Sequence, residues 1–576
     1  MRSRLSRRAP TVLGLLLLAA CGGGSDNGVA PGAALSIGES VTHPGPQTAT
    51  LDGGPTGADF IAVLVNTNFT AGTTESFTLQ GAGIVAPSAA LAAAGGPALA
   101  IAFSGDASAT PERDRAFEAR LRARERSELT PRIAASRAWF STRAAPSAAT
   151  SAATTSSPFQ PVRRDGALPA NVAVGDLVTV NVNGNDACTN PVYHAARVVA
   201  IGTHATILAD TLNPAGGFTT ADYQRFATRF DTLVYPLDSA AFGPPTDIDG
   251  NGHVGLVFTR TVNELTAVGA SSYVGGFTFS RDLFPVVTTA RATGCAASNE
   301  GEYFYLLTPD PAGTINGNRR STGFVDSNTT AVIAHEFQHL INAGRRIYVN
   351  NANDFEDTWL DEGLAHIAEE LLFYREGAAG PKSNLDTPQI RATTQRRTAF
   401  NLDMIGNSGR YRSYLLAPST SSPYAANDSL STRGAAWSLL RYLADRSGST
   451  DNSFFFRLVN ATTSGIPNLR AVYASDLTAA LRDWSTSHAV DDVAATAAEL
   501  QQPSWNWHSI YPTLYGSYPL VVRTLVDGTA TPGSVVAGGA AYFKVGVPAG
   551  AKPTLSLTAA SATAATNLQL VIVRVR

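Results

Sequence analysis

Short apolar runs separated by turn residues mark both ends of the chain. Residues 36–105 contain runs such as 60–65 and 75–79 between Gly, Pro and Thr turns. Residues 520–576 return to this pattern and finish with the apolar run 568–573. Short runs of this kind, several of them alternating between apolar and polar positions, predict β-strands. We therefore expect a small β-sandwich-like module at each end of the chain.

The central part of the chain shows a different pattern. Residues 166–519 begin with a strand pattern at 177–182 and then mix strand and helix signals, which predicts an α+β domain. Residues 106–165 connect this domain to the N-terminal module. Within them, the charged stretch 111–129 has helical spacing and predicts a solvated helix. The Ala-, Ser- and Thr-rich stretch 144–157 predicts a linker.

Composition limits the function classes. The chain has 576 residues, of which 44% are hydrophobic, so it can bury a large core. At about 150 residues per domain, this length predicts three or four domains, or one large domain with appendages. Lys and Arg number 43 and Asp and Glu number 46, which gives a formal net charge of -3. Because the chain has no basic excess, we expect no nucleic-acid partner.

A targeting segment occupies residues 1–20. Basic residues precede an apolar stretch that is too short to span a bilayer as a helix, and the sequence Leu18-Ala-Ala-Cys21 follows. This ending resembles a bacterial lipobox, which implies that Cys21 is lipidated and that residues 21–35 form a flexible tether. Gly22 after the cysteine resembles lipoproteins that are not retained in the inner membrane. The resemblance implies a location in the bacterial cell envelope, at the outer membrane or cell surface, with the lipid as the only membrane contact. The alternative is a cleaved signal peptide with an incidental cysteine.

Two cysteines remain once Cys21 is set aside. Cys188 and Cys295 are an even pair in a chain whose leader directs it to an oxidising compartment. We expect a disulfide between them. The alternative is two unpaired buried thiols.

The strongest chemical signal is the segment His335-Glu336-Phe-Gln-His339. The surrounding residues 331–343 predict a helix, with Ser327 or Asn328 as its N-cap and Gly344 as its end. Histidines four positions apart leave one face of a helix and can bind one zinc ion. The glutamate beside them is placed to take a proton from a water held by the metal.

A third ligand is expected farther along the chain. The metzincin spacing requires Gly at 342 and His at 345, and Asn342 and Arg345 exclude it. Glu362 follows His339 by twenty-three positions, which allows a loop and a second helix, reaching to about Tyr374, packed antiparallel against the first. The Glu-Gly-Leu-Ala sequence at its start resembles gluzincins, which implies that Glu362 is the third zinc ligand. The alternative is a solvated glutamate favoured by the helix dipole.

Longer stretches around these residues resemble the hyicolysin-type family of zinc metallopeptidases. The resemblance covers roughly residues 175–515 and implies a gluzincin-like core that hydrolyses peptide bonds of a protein or peptide substrate. Its most specific motifs are His335 to Asn342, Trp359 to Ala365 and Ala368-Glu369. Softer matches are Phe230-Asp231, Asp247 to Gly252, Val262-Asn263, Ser298 to Glu300, Tyr303 to Tyr305, Arg433 to Trp437 and Arg441 to Asp445.

Two departures from related enzymes refine the expected activity. Asp361 stands where many relatives carry Asn, which affects the geometry beside the third ligand. Ser431 stands three positions before Gly434, where related aminopeptidases carry a catalytic Tyr, and their Gly-x-Met-Glu-Asn signature is absent from the sequence. We therefore expect a lipid-anchored zinc endopeptidase. The alternatives are a zinc-dependent exopeptidase and a non-catalytic cell-surface binding protein on a peptidase scaffold.

Several further side chains are candidates for supporting roles. A carboxylate, Glu369 or Glu370, is expected to orient one ligand histidine. His366 shares a helix face with Glu362 and is a candidate neighbour of the zinc, with a structural histidine as the alternative. A further donor is needed to stabilise the oxyanion, and the candidates for it are Tyr424, Tyr442 and His508.

An Asp- and Asn-rich loop is a candidate calcium site. Asp247, Asp249 and Asn251 place oxygens at alternate positions, with Gly252 at the turn, as in the first half of an EF-hand. Phe258 at the twelfth position excludes a complete EF-hand. The alternative is a turn stabilised by its own side chains.

Overall fold

The computed structural model describes residues 34–88, 112–113, 115–143, 168–270, 272–288 and 293–576. The predicted targeting segment, Cys21 and the predicted linker lie outside the described residues. Within the described ranges, no helix combines the length and the apolar character needed to cross a membrane.

The strands are listed here in chain order. They are β1 (Ser40–Pro44), β2 (Thr48–Thr50), β3 (Ala58–Asn66), β4 (Thr74–Ala82), β5 (Glu112–Arg113), β6 (Leu177–Asn181), β7 (Tyr193–Ile201), β8 (Ala205–Asp210), β9 (Val254–Phe258), β10 (Ser272–Tyr273), β11 (Gly276–Phe277), β12 (Tyr303–Leu306), β13 (Val522–Thr524), β14 (Ala530–Val536), β15 (Ala540–Val547), β16 (Thr554–Ala559) and β17 (Leu568–Arg574).

The α-helices follow the same order. They are α1 (Arg115–Arg124), α2 (Ile133–Arg143), α3 (Thr220–Arg229), α4 (Tyr235–Phe242), α5 (Arg260–Glu264), α6 (Thr322–Gly344), α7 (Thr358–Glu376), α8 (Thr387–Arg391), α9 (Thr394–Ala399), α10 (Ile405–Leu415), α11 (Leu430–Arg446), α12 (Asp451–Val459), α13 (Gly465–Tyr473), α14 (Leu477–Val490), α15 (Trp507–Tyr515) and α16 (Ala562–Asn567). Wider π-helical turns extend α1 over Glu125–Leu129 and α6 over Arg345–Val349.

Strands from both ends of the chain form one β-sandwich. One sheet has the order β1-β17-β3-β15-β13 and the other has the order β14-β4-β16-β2. The two terminal segments, predicted as separate modules, therefore share both sheets, and that prediction is wrong. The physical reason is that β3 lies between β15 and β17, so the backbone hydrogen bonds of either segment are completed only by the other.

Strand β3 explains the continuous apolar run at 60–65, because both of its faces are buried. Alternate side chains, Phe60, Ala62 and Leu64, pack into the sandwich core. The others, Ile61, Val63 and Val65, pack with Ala489 and Val490 of the central domain. The sandwich is thus fixed to the central domain through an apolar contact.

The central domain is α+β, as predicted. Its sheet has the order β11-β12-β9-β8-β7-β6, with parallel pairing of β12 with β9 and of β9 with β8. The disulfide between Cys188 and Cys295 confirms the predicted pair. It joins the connection between β6 and β7 to the segment that precedes β12.

Helices α6 and α7 pack against each other beside this sheet. Helix α6 begins earlier than its predicted start near residue 331, and its N-cap is Ser321, which accepts a hydrogen bond from the Phe324 N–H. The predicted caps Ser327 and Asn328 are wrong. Both side chains donate instead to the Phe324 carbonyl inside the helix. Burial of α6 against its neighbours outweighs the weak helix propensity of this polar first half.

Within the charged stretch, residues 115–129 are helical, and three of their charged side chains are buried although the others include exposed ones. Glu118, Arg122 and Glu125 are only 5%, 6% and 3% exposed. The predicted exposure is wrong for these three because each of these side chains has an ionic or hydrogen-bonding partner inside the fold.

A glycine allows α10 and α11 to approach closely. A Cβ atom added at Gly434 would lie 2.2 Å from the backbone carbon of Arg410 in α10. Because the obstructing atom is backbone, the two helices must separate to admit even a methyl group.

We expect Gly434→Ala to destabilise the fold by about 1–3 kcal/mol, the usual cost of overpacking, despite the higher helix propensity of Ala. Denaturant unfolding measures this change. Gly323→Ala is the matched control, since Gly323 lies in α6 and its added Cβ would meet nothing within 4 Å. Equal stability of the two variants would contradict the close approach of α10 and α11.

Candidate metal centre

Helices α6 and α7 bring three metal-ligating side chains to one point. The Nε2 atoms of His335 and His339 lie 3.2 Å apart. Glu362 of α7 faces both, with Oε2 at 3.5 Å from His335 Nε2 and Oε1 at 3.7 Å from His339 Nε2. The structure therefore brings together the three residues for which the sequence predicts zinc ligation.

Carboxylates hold the far side of each imidazole. Glu369 Oε1 lies 3.0 Å from His335 Nδ1, and Asp361 Oδ2 lies 2.9 Å from His339 Nδ1. A carboxylate at Nδ1 favours the tautomer that carries its proton there, which leaves the lone pair on Nε2. The lone pairs of the two Nε2 atoms and the Glu362 carboxylate then point at one position, and in this tautomer no proton lies between them.

This donor set fits a zinc ion. Two imidazole nitrogens and one carboxylate oxygen, each able to donate from within 4.8 Å of the others, are the ligands of open, three-residue zinc sites. Neither oxygen of Glu362 accepts a hydrogen bond from the part of the chain that the structure describes, although both are buried. A buried carboxylate in that state requires a nearby cation.

Two arginines supply part of that positive charge. Arg433 Nη1 lies 2.9 Å from Glu362 Oε2, and Arg122 Nε lies 3.9 Å from Glu362 Oε1. Burial would raise the pKa of Glu362, but Arg433 and the two histidines outweigh burial and hold that pKa well below its usual value. These cations thus favour the ionised form of Glu362.

Glu336 lies next to His335 on α6 and is 3% exposed. The helix is held against the edge of the central sheet at this residue, because Thr278 Oγ1 donates to the Glu336 carbonyl at 2.8 Å. Glu336 is thus a buried residue next in the chain to His335, one of the three candidate ligands.

The structure distinguishes between Glu369 and Glu370, the two carboxylates predicted as candidates for orienting a histidine. Glu369 faces His335, whereas Glu370 accepts from Trp505 Nε1 at 2.7 Å and points away from the histidines. His366 is fully buried, with its Nδ1 at 3.4 Å from Glu369 Oε2. Burial, with a smaller contribution from Arg410, holds the pKa of His366 well below its usual value, so this imidazole is neutral.

The candidate oxyanion donors are bonded elsewhere. Tyr424 donates to the Asn68 carbonyl, and Tyr442 donates to the Glu499 carbonyl. His508 Nε2 lies 3.3 Å from the His488 carbonyl, and its ring stacks on Tyr518. The structure does not bring these side chains to the convergent ligands.

The Asp247 loop contains a carboxylate cluster of different composition from the predicted one. Asp247 and Asp249 approach Glu302, while the side-chain oxygen of Asn251 accepts from the His253 N–H. Burial raises the pKa of Asp249 to about 7 and that of Glu302 to about 8. Calcium binding by this loop stays a prediction.

Sequence reasoning missed two arginines that lie close to Glu362 in space but far from it along the chain. Arg433 lies far along the chain from Glu362, and Arg122 precedes the central domain altogether. The available signals were the Arg433-Gly434 pair and the alternation of acidic and basic positions at 118, 122 and 125. Neither signal specifies a spatial partner.

The chain is similar in sequence to a known protease. The chain is 30% identical over 146 residues to the neutral metalloprotease ShpI of Staphylococcus hyicus, a match that covers 25% of this chain and 30% of that protein. The similarity supports a metallopeptidase family. No family model matches the chain. The match spans less than a third of the relative, so it concerns one region and not the whole protein.

We expect Glu369→Gln to weaken zinc binding by about 10–100-fold, because His335 loses the charge that orients it. Competition with a chromophoric chelator measures the affinity. The matched control is Glu370→Gln, one position along and turned away from the histidines. If both variants bind zinc as tightly as the wild type, Glu369 has no orienting role.

Proposed function

We propose that this protein is an exported zinc metalloendopeptidase. The observation that carries the proposal is the convergence of His335, His339 and Glu362 beside Glu336. The similarity to a neutral metalloprotease supports a protein or peptide substrate and a metal cofactor, for which the donor set favours zinc.

His335, His339 and Glu362 would hold the zinc, each in an orientation set by a buried partner. Glu369 holds one imidazole and Asp361 the other, and Arg433 fixes the carboxylate. A zinc ion bound there supplies Lewis-acid chemistry, which polarises a carbonyl group and lowers the pKa of water. Three protein ligands of this kind would leave the zinc ion open to the reacting groups.

Glu336 is the proposed general base and acid. Its carboxylate accepts a proton from the attacking water and passes that proton to the nitrogen of the leaving amine. Its burial on α6, next in the chain to His335, supports this role. The chain's own contribution is therefore to orient three ligands and to move one proton.

Two features of the sequence support the remaining parts of the proposal. Ser431 in place of the aminopeptidase tyrosine favours internal cleavage over removal of terminal residues. The lipobox-like ending at Cys21 supports a lipid anchor and a location in the bacterial cell envelope.

We expect the zinc-loaded wild-type protein to cleave internal bonds of unfolded casein. Glu336→Ala should lower the rate by about 10²–10⁴-fold while zinc stays bound, because the change removes the proton acceptor and leaves the ligands. His339→Ala should lose both zinc and activity. Mass spectrometry of the fragments and metal analysis measure the two effects, and Glu264→Gln at the surface is the control.

The assay is carried out on two forms of the protein. One is the intact chain, and the other is the chain cleaved both before residue 112 and after residue 143. A zinc-loaded protein that leaves casein and a peptide library intact in both forms would contradict the proposed function. Release of terminal residues alone would replace it with an exopeptidase.

A further inference from the structure

Helices α1 and α2, with the turns between them, lie across the metal centre. We name residues 112–143 the cover segment. The four side chains of the centre are buried beneath it: His335, Glu336, His339 and Glu362 are exposed by 3% or less. Between the cover segment and the centre remains a cavity of about 20 Å³, lined by Arg122, Glu125 and Arg126 on one side and by His339 and Asp361 on the other. Such a cavity holds a water molecule, whereas ligand sites occupy about 300–1,000 Å³.

Ionic contacts join the cover segment to the centre. Arg122 Nε lies 3.9 Å from both Asp361 Oδ2 and Glu362 Oε1. Glu118 forms an ion pair with Arg433, the same arginine that contacts Glu362. The cover segment thus contacts a ligand directly through Arg122 and indirectly through Glu118.

The cover segment also engages the backbone of residues 272–280, which includes β10 and the residues that follow β11, the edge strand of the central sheet. Strand β5 pairs in parallel with β10, through Glu112 with Ser272 and Arg113 with Tyr273. Arg122 Nη1 donates to the Thr278 carbonyl at 3.3 Å, and the Ser280 N–H donates to Glu125 Oε1 at 2.7 Å. Pairing with a sheet edge is a general mode by which extended peptides bind to proteins. The backbone that a substrate would use beside Glu336 is therefore already engaged.

The charges are arranged so that the cover segment can leave. Arg122 keeps Glu125 as a partner within the segment, at 2.8 Å. Arg433 keeps Asp428, whose two carboxylate oxygens lie 2.7 and 2.6 Å from its guanidinium nitrogens. On separation Arg122 and Arg433 each keep an acidic partner, and Glu118, which loses Arg433, is transferred to water with the released segment. The metal centre is therefore not left with an uncompensated buried arginine, whose cost would be large.

We propose that the cover segment is an internal inhibitor, which fills the substrate cleft and closes the metal centre until it is displaced. This inference rests on the proposed function, whose site it regulates. The intact chain then cleaves substrate only through its minor open state. A substrate competes with residues 112–143 for the backbone of residues 272–280 and for the space now filled by Arg122.

The test uses the full chain with recognition sites for a sequence-specific protease inserted in residues 89–110 and 144–157. The probe is a fluorescent peptide hydroxamate, whose binding to the zinc-loaded protein is measured by anisotropy, independently of hydrolysis. We expect the uncut chain to bind it about 100-fold more weakly than the doubly cut chain, as for an open state populated near 1%. Casein hydrolysis should rise at least about tenfold on cutting.

A synthetic peptide of residues 112–143, added to the cut chain, should displace the hydroxamate. The Arg122→Ala and Glu118→Gln peptides should be at least about tenfold weaker competitors, a loss typical of buried ionic contacts. An Arg120→Ala peptide is the matched control, because Arg120 lies on the same helix and is exposed.

The outcomes separate the two proposals. Equal hydroxamate binding before and after cutting, or no competition by the wild-type peptide, overturns the inhibitor and leaves the protease proposal standing. If the hydroxamate binds only after cutting and casein is not hydrolysed, the inhibitor proposal is supported and the protease proposal is overturned. Zinc-loaded protein that binds no hydroxamate in either form overturns both.

Discussion

The structure depends on one electrostatic convergence, in which two imidazole nitrogens and the Glu362 carboxylate point at a common centre. Each imidazole is held from behind by a carboxylate, so the lone pairs cannot turn away. The antiparallel pairing of α6 and α7 creates this geometry, because positions 335 and 339 ascend one helix while 369 and 362 descend the other. The remaining elements hold that pair in place and balance its charge.

Charge balance links distant parts of the chain to the centre. Glu362, Glu369 and Asp428, all buried, and the partly buried Asp361 form a concentration of acidic groups, which Arg122, Arg410 and Arg433 offset. A buried ion pair is costly to break from one side, since the remaining charge is left without a partner. Arg433 has three acidic neighbours, so it tolerates the loss of one. This redundancy allows the same arginine to support both a closed and an open centre.

The sequence predicts the local part of this site and misses the long-range part. His335, His339 and Glu362 lie on two helices that are consecutive in the central domain. Their spacing can therefore be recognised in the sequence itself. The burial of Glu118 and Arg122 is invisible there, because a charged amphipathic helix has the same pattern whether it faces water or an ionic partner. The single sandwich was missed for a similar reason: a period of two predicts a strand but does not identify its neighbour.

Because strands from both ends of the chain share the same two sheets, one cleavage and two cleavages of the connecting segments have different consequences. Residues 34–88 remain seated between β15 and β17, and between β14 and β16, after any cleavage that follows them. One cut in residues 144–167 therefore leaves residues 112–143 still connected to the sandwich, at an effective concentration on the order of millimolar for a short connection. Only a second cut, before residue 112, allows those residues to diffuse away. Two cleavage events are thus distinguished from one by topology alone, without any change in the contacts at the metal centre.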